Sequence, residues 1–245
     1  MKKLISQIKT PRVNSRLCLL GISVLLVACS RGNANPAVID TTAAVRNTRW
    51  SDKITITLGD GSFRYQSDSI PNHALNEEYV MPDNLTTCVL HPTPACTHIE
   101  PVTQAVRPVP IDFTITTKPQ KMAKPVTPPF GAVGVMISGS PVYNPYEGDG
   151  VTVAMNGNFN LINQQGKPVA FMDDCHGHPA PHPRAQYHYH GLPPCVTAQV
   201  DQPNGPSRII GYAFDGFPIY GDRDIIGKKI DLFAAVVETL RLPFV

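Results

Sequence analysis

The motifs that carry several common enzyme chemistries are missing from this 245-residue sequence. It contains no G-x-S-x-G nucleophile elbow, no P-loop, no G-x-G-x-x-G turn and no H-E-x-x-H, so the familiar hydrolase, nucleotide-binding and zincin readings lack their residues. It also has no cluster of basic residues, which argues against a nucleic-acid partner. Long helical patterns are scarce, because 25 prolines, about twice the usual share, and 18 glycines punctuate the chain.

Acidic residues are absent from positions 1–28, which carry Lys2, Lys3, Lys9, Arg12 and Arg16 and then an apolar run from Leu17 to Ala28. That run is too short for a spanning helix, which needs ~20 residues, and reads as the core of a secretory signal peptide. It ends in LVAC, Leu26 to Cys29, which looks like the lipobox of bacterial lipoproteins. Cys29 is then the expected lipidation site, and Ser30 after it points to an outer membrane. The expected protein is exported, joined to the membrane through its lipid anchor and facing the periplasm or cell surface. Residues 29–48 read as a tether of small and polar residues.

Removing the five leader cations from 21 basic residues leaves 16 against 19 acidic ones, so the mature chain is slightly negative. Cys18 goes with the leader and Cys29 with the lipid, leaving Cys88, Cys96, Cys175 and Cys195. Four cysteines in an exported chain suggest two disulfides. Proximity favours Cys88 with Cys96 and Cys175 with Cys195 over the other two connectivities; intermolecular pairing and a thiolate metal site rank lower. Closing the longer of these loops is worth roughly 3 kcal/mol by chain entropy.

Strand signals dominate what remains. KITITL at 53–58 and IDFTITT at 111–117 alternate apolar and polar residues, while 131–137, 151–155, 168–172 and 208–214 are short apolar runs between turn residues. The expected fold is mostly β, with antiparallel sheets in a sandwich- or barrel-like arrangement, long proline-rich connections and little helix. Residues 101–129 hold seven prolines and read as an extended connection or edge passage. GVMISGSPVY at 134–143 and GYAFDGFPIY at 211–220 share two glycines, a proline, a β-branched residue and a tyrosine in register, which suggests an internal duplication. In each, the second glycine can take a positive φ before proline fixes the entry into a strand.

The strongest chemical signal is FMDDCHGHPAPHPRAQYHYH, residues 171–190, which holds five of the eight histidines. If residues 187–190 form a strand, His188 and His190 share one face and Tyr187 and Tyr189 the other. His176 and His178 form a second pair at the same spacing, and a Cys175–Cys195 bridge would draw the two pairs together. Neutral imidazoles suit zinc and copper, so His176, His178, His188 and His190 are the candidate ligands. Asp174 is a further oxygen donor, and Asp173, Tyr187 and Tyr189 stand behind them. Four ligands on one ion need donor nitrogens within about 4 to 5 Å of one another. The competing readings are metal-free acid/base catalysis by a histidine with an aspartate orienter, and a surface interaction module whose histidines are structural. His182 lies between prolines and reads as a loop residue; His73, His91 and His98 are isolated and carry no expected role.

DDCHGHP, YHYHGLPPC and IIGYAFDGFPIYG together resemble the YHYH-domain proteins over roughly residues 110–221. The resemblance implies a secreted or surface β-rich domain without an established biochemical activity. On this reading residues 49–230 form the domain. The chain departs from the family after the second repeat: 25 residues follow Tyr220, whereas 32 separate Tyr143 from Cys175, and no cysteine or histidine is among them. Residues 231–245 therefore read as an aberrant tail, a truncated or frame-shifted copy ending in a short helix.

Overall fold

The structure is a computed structural model describing residues 39–75, 78–82, 97–101, 105–122, 124, 126–146, 148, 150–151, 153–154, 161–162, 168–169, 172–180 and 184–230. Cys29, Cys88, Cys96, His91, His182, the leader and the tail lie outside them. Among the described residues the chain is mostly β, with two short helices, neither long nor apolar enough to cross a membrane.

Two sheets build the frame. The first has three antiparallel strands in the order β1 (Thr55–Leu58), β2 (Ser62–Ser67) and β5 (Ile111–Thr116). Between β2 and β5 in the chain, β3 (Glu78–Pro82) and β4 (Thr97–Pro101) form a separate hairpin. The second sheet uses β6 (Ala132–Met136), β7 (Pro141–Tyr143), β10 (Gly177–Pro179), β11 (Tyr187–Tyr189), β12 (Ile209–Ala213) and β13 (Pro218–Tyr220). Its order is β10-β11-β7-β6-β12-β13. A further pair, β8 (Leu161–Ile162) and β9 (Pro168–Val169), includes the start of the 168–172 run, and Val153 from 151–155 makes an isolated bridge to Tyr146.

Alternation explains how the sheets pack. Val135 and Tyr212 join Phe63 and Tyr65 of β2, Ile111 and Ile115 of β5 and Val45 in one buried cluster between the sheets. Met136, next to Val135, and Ile210, at the strand irregularity between Ile209 and Gly211, instead meet Tyr187, Tyr189, Val196 and Val200 in a second cluster. The larger sheet therefore has the small sheet on one face and α2 (Pro194–Val200) on the other, a sandwich-like layering.

Three expectations change. Residues 41–48 are not a tether: α1 (Thr42–Asn47) packs Val45, fully buried, into the inter-sheet cluster, and the Thr41 N–H donates to the Thr117 carbonyl. The apolar stripe was too short to read as a helix, yet the burial of one valine fixes it. The sheets are not wholly antiparallel, because β11 runs parallel to β7 with Tyr189 opposite Val142. β2 was unforeseen although Phe63 and Tyr65 are fully buried, because SFRYQS carries only two apolar residues among six.

The duplication has a direct structural expression. The two ten-residue repeats form hairpins, β6–β7 and β12–β13, and both second glycines have positive φ, 112° at Gly139 and 90° at Gly216. The turns share hydrogen bonds: Gly139 N–H to Met136 O matches Gly216 N–H to Ala213 O, and Met136 N–H to Ser140 O matches Ala213 N–H to Phe217 O. The hairpins then pair through β6 and β12 with Val135 opposite Tyr212, flanked by Gly134–Ala213 and Met136–Gly211. Equivalent residues thus face each other about a local two-fold axis.

Candidate metal centre

The site is assembled on β10 and β11 and on the turn before them. The Asp173 carboxylate accepts the Cys175 and Gly177 backbone N–H groups, at 2.9 and 3.2 Å, and the Tyr187 hydroxyl at 2.7 Å. This closes an Asx-type turn, and His176, three residues after Asp173, takes a left-handed φ of 59°. Cys175 is joined to Cys195 by a disulfide with Cα atoms 5.5 Å apart, inside the range such bridges need. The turn is therefore fastened to α2.

β10 runs antiparallel to β11 with His178 directly opposite His188. Directly paired residues share a face, and His190 lies two positions beyond His188, so three imidazoles meet on one side. Ring centroids are 4.5 Å apart for His178–His188, 4.8 Å for His188–His190 and 5.2 Å for His178–His190. One donor nitrogen from each lies within 4.8 Å of the others. His178 and His188 are buried, and His190 is half-buried.

Hydrogen bonds decide which nitrogens are available. Nδ1 of His178 lies 2.9 Å from the Pro179 carbonyl, Nδ1 of His188 3.1 Å from that of Gln186, and Nδ1 of His190 2.8 Å from that of Asn144. A carbonyl can only accept, so each Nδ1 carries the proton and donates it. In the neutral rings every Nε2 then presents a lone pair, and those of His188 and His190 are 3.0 Å apart. Two lone pairs at that separation repel unless a cation or an additional proton lies between them. Tetrahedral bonds of ~2.0 Å place ligand nitrogens roughly 3.3 Å apart, close to the observed spacing. Burial, and next the like charge of His178 and His190, hold the His188 pKa well below its usual 6.5, against the opposing pull of the Gln186 carbonyl. The ring is thus neutral, the form a metal ligand requires.

Neighbouring groups fix the rings in place. Tyr143 stacks on His188 with centroids 4.0 Å apart, and its hydroxyl donates to the Gln186 side-chain oxygen at 2.7 Å, while the Gln186 amide donates to Ser69 at 3.1 Å. The three histidines line a cavity of about 140 Å³ whose wall includes Tyr143, Tyr146, Phe130 and Arg184.

The expected constellation is redistributed. His178, His188 and His190 converge, but His176 does not: its left-handed backbone turns the exposed ring towards Gly191, where an added Cβ would stand 3.2 Å from its Nδ1. Asp174 is exposed and belongs to no convergent group among the described residues. Asp173, Tyr187 and Tyr189 lie behind the strand, on the opposite face from the histidines, where they brace the turn and the core. Tyr189 meets Ser138 at 2.8 Å and His73 Nε2 at 2.6 Å through its hydroxyl.

His73 was assigned no role from sequence, yet it packs against both tyrosines and stands 3.4 Å from Cys175 Sγ. No sequence signal links it to a cysteine 102 positions away. His73, Cys175 and Cys195 are also close enough to share an ion, but the sulfurs are joined and both ring nitrogens are engaged, Nδ1 with the Ala74 carbonyl at 2.8 Å. This group is structural. His98 lies on β4 opposite Met81. Asn144, Gln186 and Tyr143 were missed because they gain meaning only through contact with His188 and His190.

Neither the curated proteins nor the solved structures provide a match to the chain. The family model described as YHYH protein matches residues 112–229, a span containing the paired hairpins, the disulfide and all three convergent histidines. Residues 112–229 are therefore a YHYH domain.

Proposed function

We propose that this domain binds one divalent transition-metal ion, zinc or copper, through Nε2 of His178, His188 and His190. The observation that carries the reading is the common tautomer: three separate backbone carbonyls hold three Nδ1–H groups, which aims three lone pairs at one locus. Three imidazoles and no thiolate suit zinc or copper(II), and three protein ligands leave a coordination position for a further ligand. Metal-free acid/base chemistry is less well supported, because Asp173, the aspartate that would orient the base, is bonded to Tyr187 on the other face. A purely structural cluster would need a proton on Nε2 of His188 or His190, which would either charge a ring in this buried group or, in a neutral ring, turn a lone pair towards a carbonyl.

We further propose that the domain lies outside the cytoplasm, lipid-anchored at Cys29 on the outer membrane. The charge pattern of the leader supports this, and so does the Cys175–Cys195 disulfide, a feature of oxidising compartments.

Elemental analysis and calorimetric titration of untagged protein with Zn²⁺ and Cu²⁺ test the site. The expected result is one ion per chain, lost in His178→Ala, His188→Ala and His190→Ala and retained in His176→Ala, with near-UV circular dichroism verifying each fold. Sub-stoichiometric metal, unchanged in folded His188→Ala and His190→Ala, would refute the proposal.

A further inference from the structure

The three convergent histidines occupy one wall of a cavity that has chemistry of its own. Among the described residues that line it, Arg184 is the only one with a formal charge. The guanidinium is close enough to Tyr143 to act on its hydroxyl electrostatically, opposing the burial that raises the tyrosine pKa. A bound divalent ion would add two positive charges to a space already facing a cation. Such a field favours an anion at the open coordination position.

Size and rim narrow the class. A volume of about 140 Å³ has room for a carboxylate or carbonate group beside the ion. Phe130, 64% exposed, and Tyr146, 38% exposed, stand at the rim and offer ring faces to any organic remainder. Gln186 cannot easily serve as a second donor, because its amide is committed to Ser69 and its oxygen to Tyr143.

Resting on the three-histidine metal site, we infer that the open position takes a small carboxylate or carbonate-type oxyanion, one oxygen on the metal and another on Arg184. Binding is ligand exchange: the anion displaces a metal-bound water, and no redox step is involved. An anion with two oxygens can give one to the ion and the other to Arg184, which a single-atom anion cannot, so acetate is favoured over a halide.

Cobalt(II)-substituted full chain provides the test, since its visible spectrum reports coordination directly. Acetate is titrated at constant ionic strength set with weakly coordinating perchlorate. The expected result is a saturable spectral change whose midpoint weakens about tenfold in Arg184→Gln, the loss of one charge-assisted contact, while cobalt stoichiometry is unchanged. A normal cobalt spectrum that acetate does not move, or moves equally in both proteins, overturns the anion inference and leaves the metal reading standing. Absence of a bound-cobalt spectrum before any acetate is added overturns both.

Discussion

Burial makes His188 a liability as well as a ligand. In the folded, metal-free protein its pKa is held below 6.5, whereas unfolding restores the ordinary value. Between those two values the unfolded chain binds a proton that the native chain does not, so stability rises with pH there and is lost as pH falls below about 6.5. Urea midpoints of chelator-treated protein, measured on both sides of that pH, should decrease on the acid side, and the slope should be shallower in His188→Gln. Equal slopes in the two proteins would remove His188 as the cause. Metal opposes the trend, because it competes with protons for the same Nε2 lone pairs. His176, exposed and outside the convergent group, should leave metal binding intact when replaced by alanine.

The element that positions everything else is the crossing of β6 and β12. Both strands place a glycine where the partner backbone comes closest: a Cβ at Gly134 would stand 2.6 Å from the Tyr212 carbonyl oxygen, and one at Gly211 would collide with the Val135 carbonyl and lie 2.6 Å from Met136 Sδ. Real Cβ atoms do not approach so closely, so the strands would have to separate. Gly134→Ala should cost about 1–3 kcal/mol, an overpacking penalty, whereas Gly148→Ala, with no atom within 4 Å of the new Cβ, should be close to neutral in the same denaturation assay. The repeat motif thus encodes two things at once. Its second glycine makes the turn, and its first lets the two copies of the hairpin touch.

Across the whole molecule the disulfide connects layers that sequence keeps apart. Cys175 belongs to the turn leading into β10, and Cys195 lies in α2, which packs Val196 and Val200 under the larger sheet. The bridge restrains the strand that carries His178 without touching the ring itself. A Cys175→Ser, Cys195→Ser double variant should lose roughly 3 kcal/mol of stability. It should also bind zinc more weakly in competition with a chromophoric chelator, because β10 no longer starts from a fixed point. Unchanged zinc affinity in a folded double variant would mean that the strand pairing alone positions His178. On the other flank of the sheet β13 is the last strand among the described residues, whereas its counterpart β7 is covered by β11 and β10. The pairing of like hairpins is therefore symmetric at its centre and asymmetric at its edges, and the histidines lie on the covered side.

The sequence by itself determined the local geometry: a period of two places His188 and His190 on one face and Tyr187 and Tyr189 on the other. Glycine before proline likewise specifies both hairpin turns, and two cysteines 20 positions apart lie within reach of a bridge. These are properties of neighbouring residues, fixed by backbone stereochemistry before any packing occurs. The third histidine was not of that kind. His176 and His178 are equivalent by spacing, and only the Asp173 turn, followed by pairing of β10 with β11, turns one ring outward and brings the other against His188. Asn144 meets His190 from 46 positions away, and Tyr143 stacks on His188, because β7 lies parallel to β11. His73 reaches the tyrosines across more than a hundred residues. Such contacts depend on strand order and register, which burial of the whole core selects and no short stretch of sequence contains.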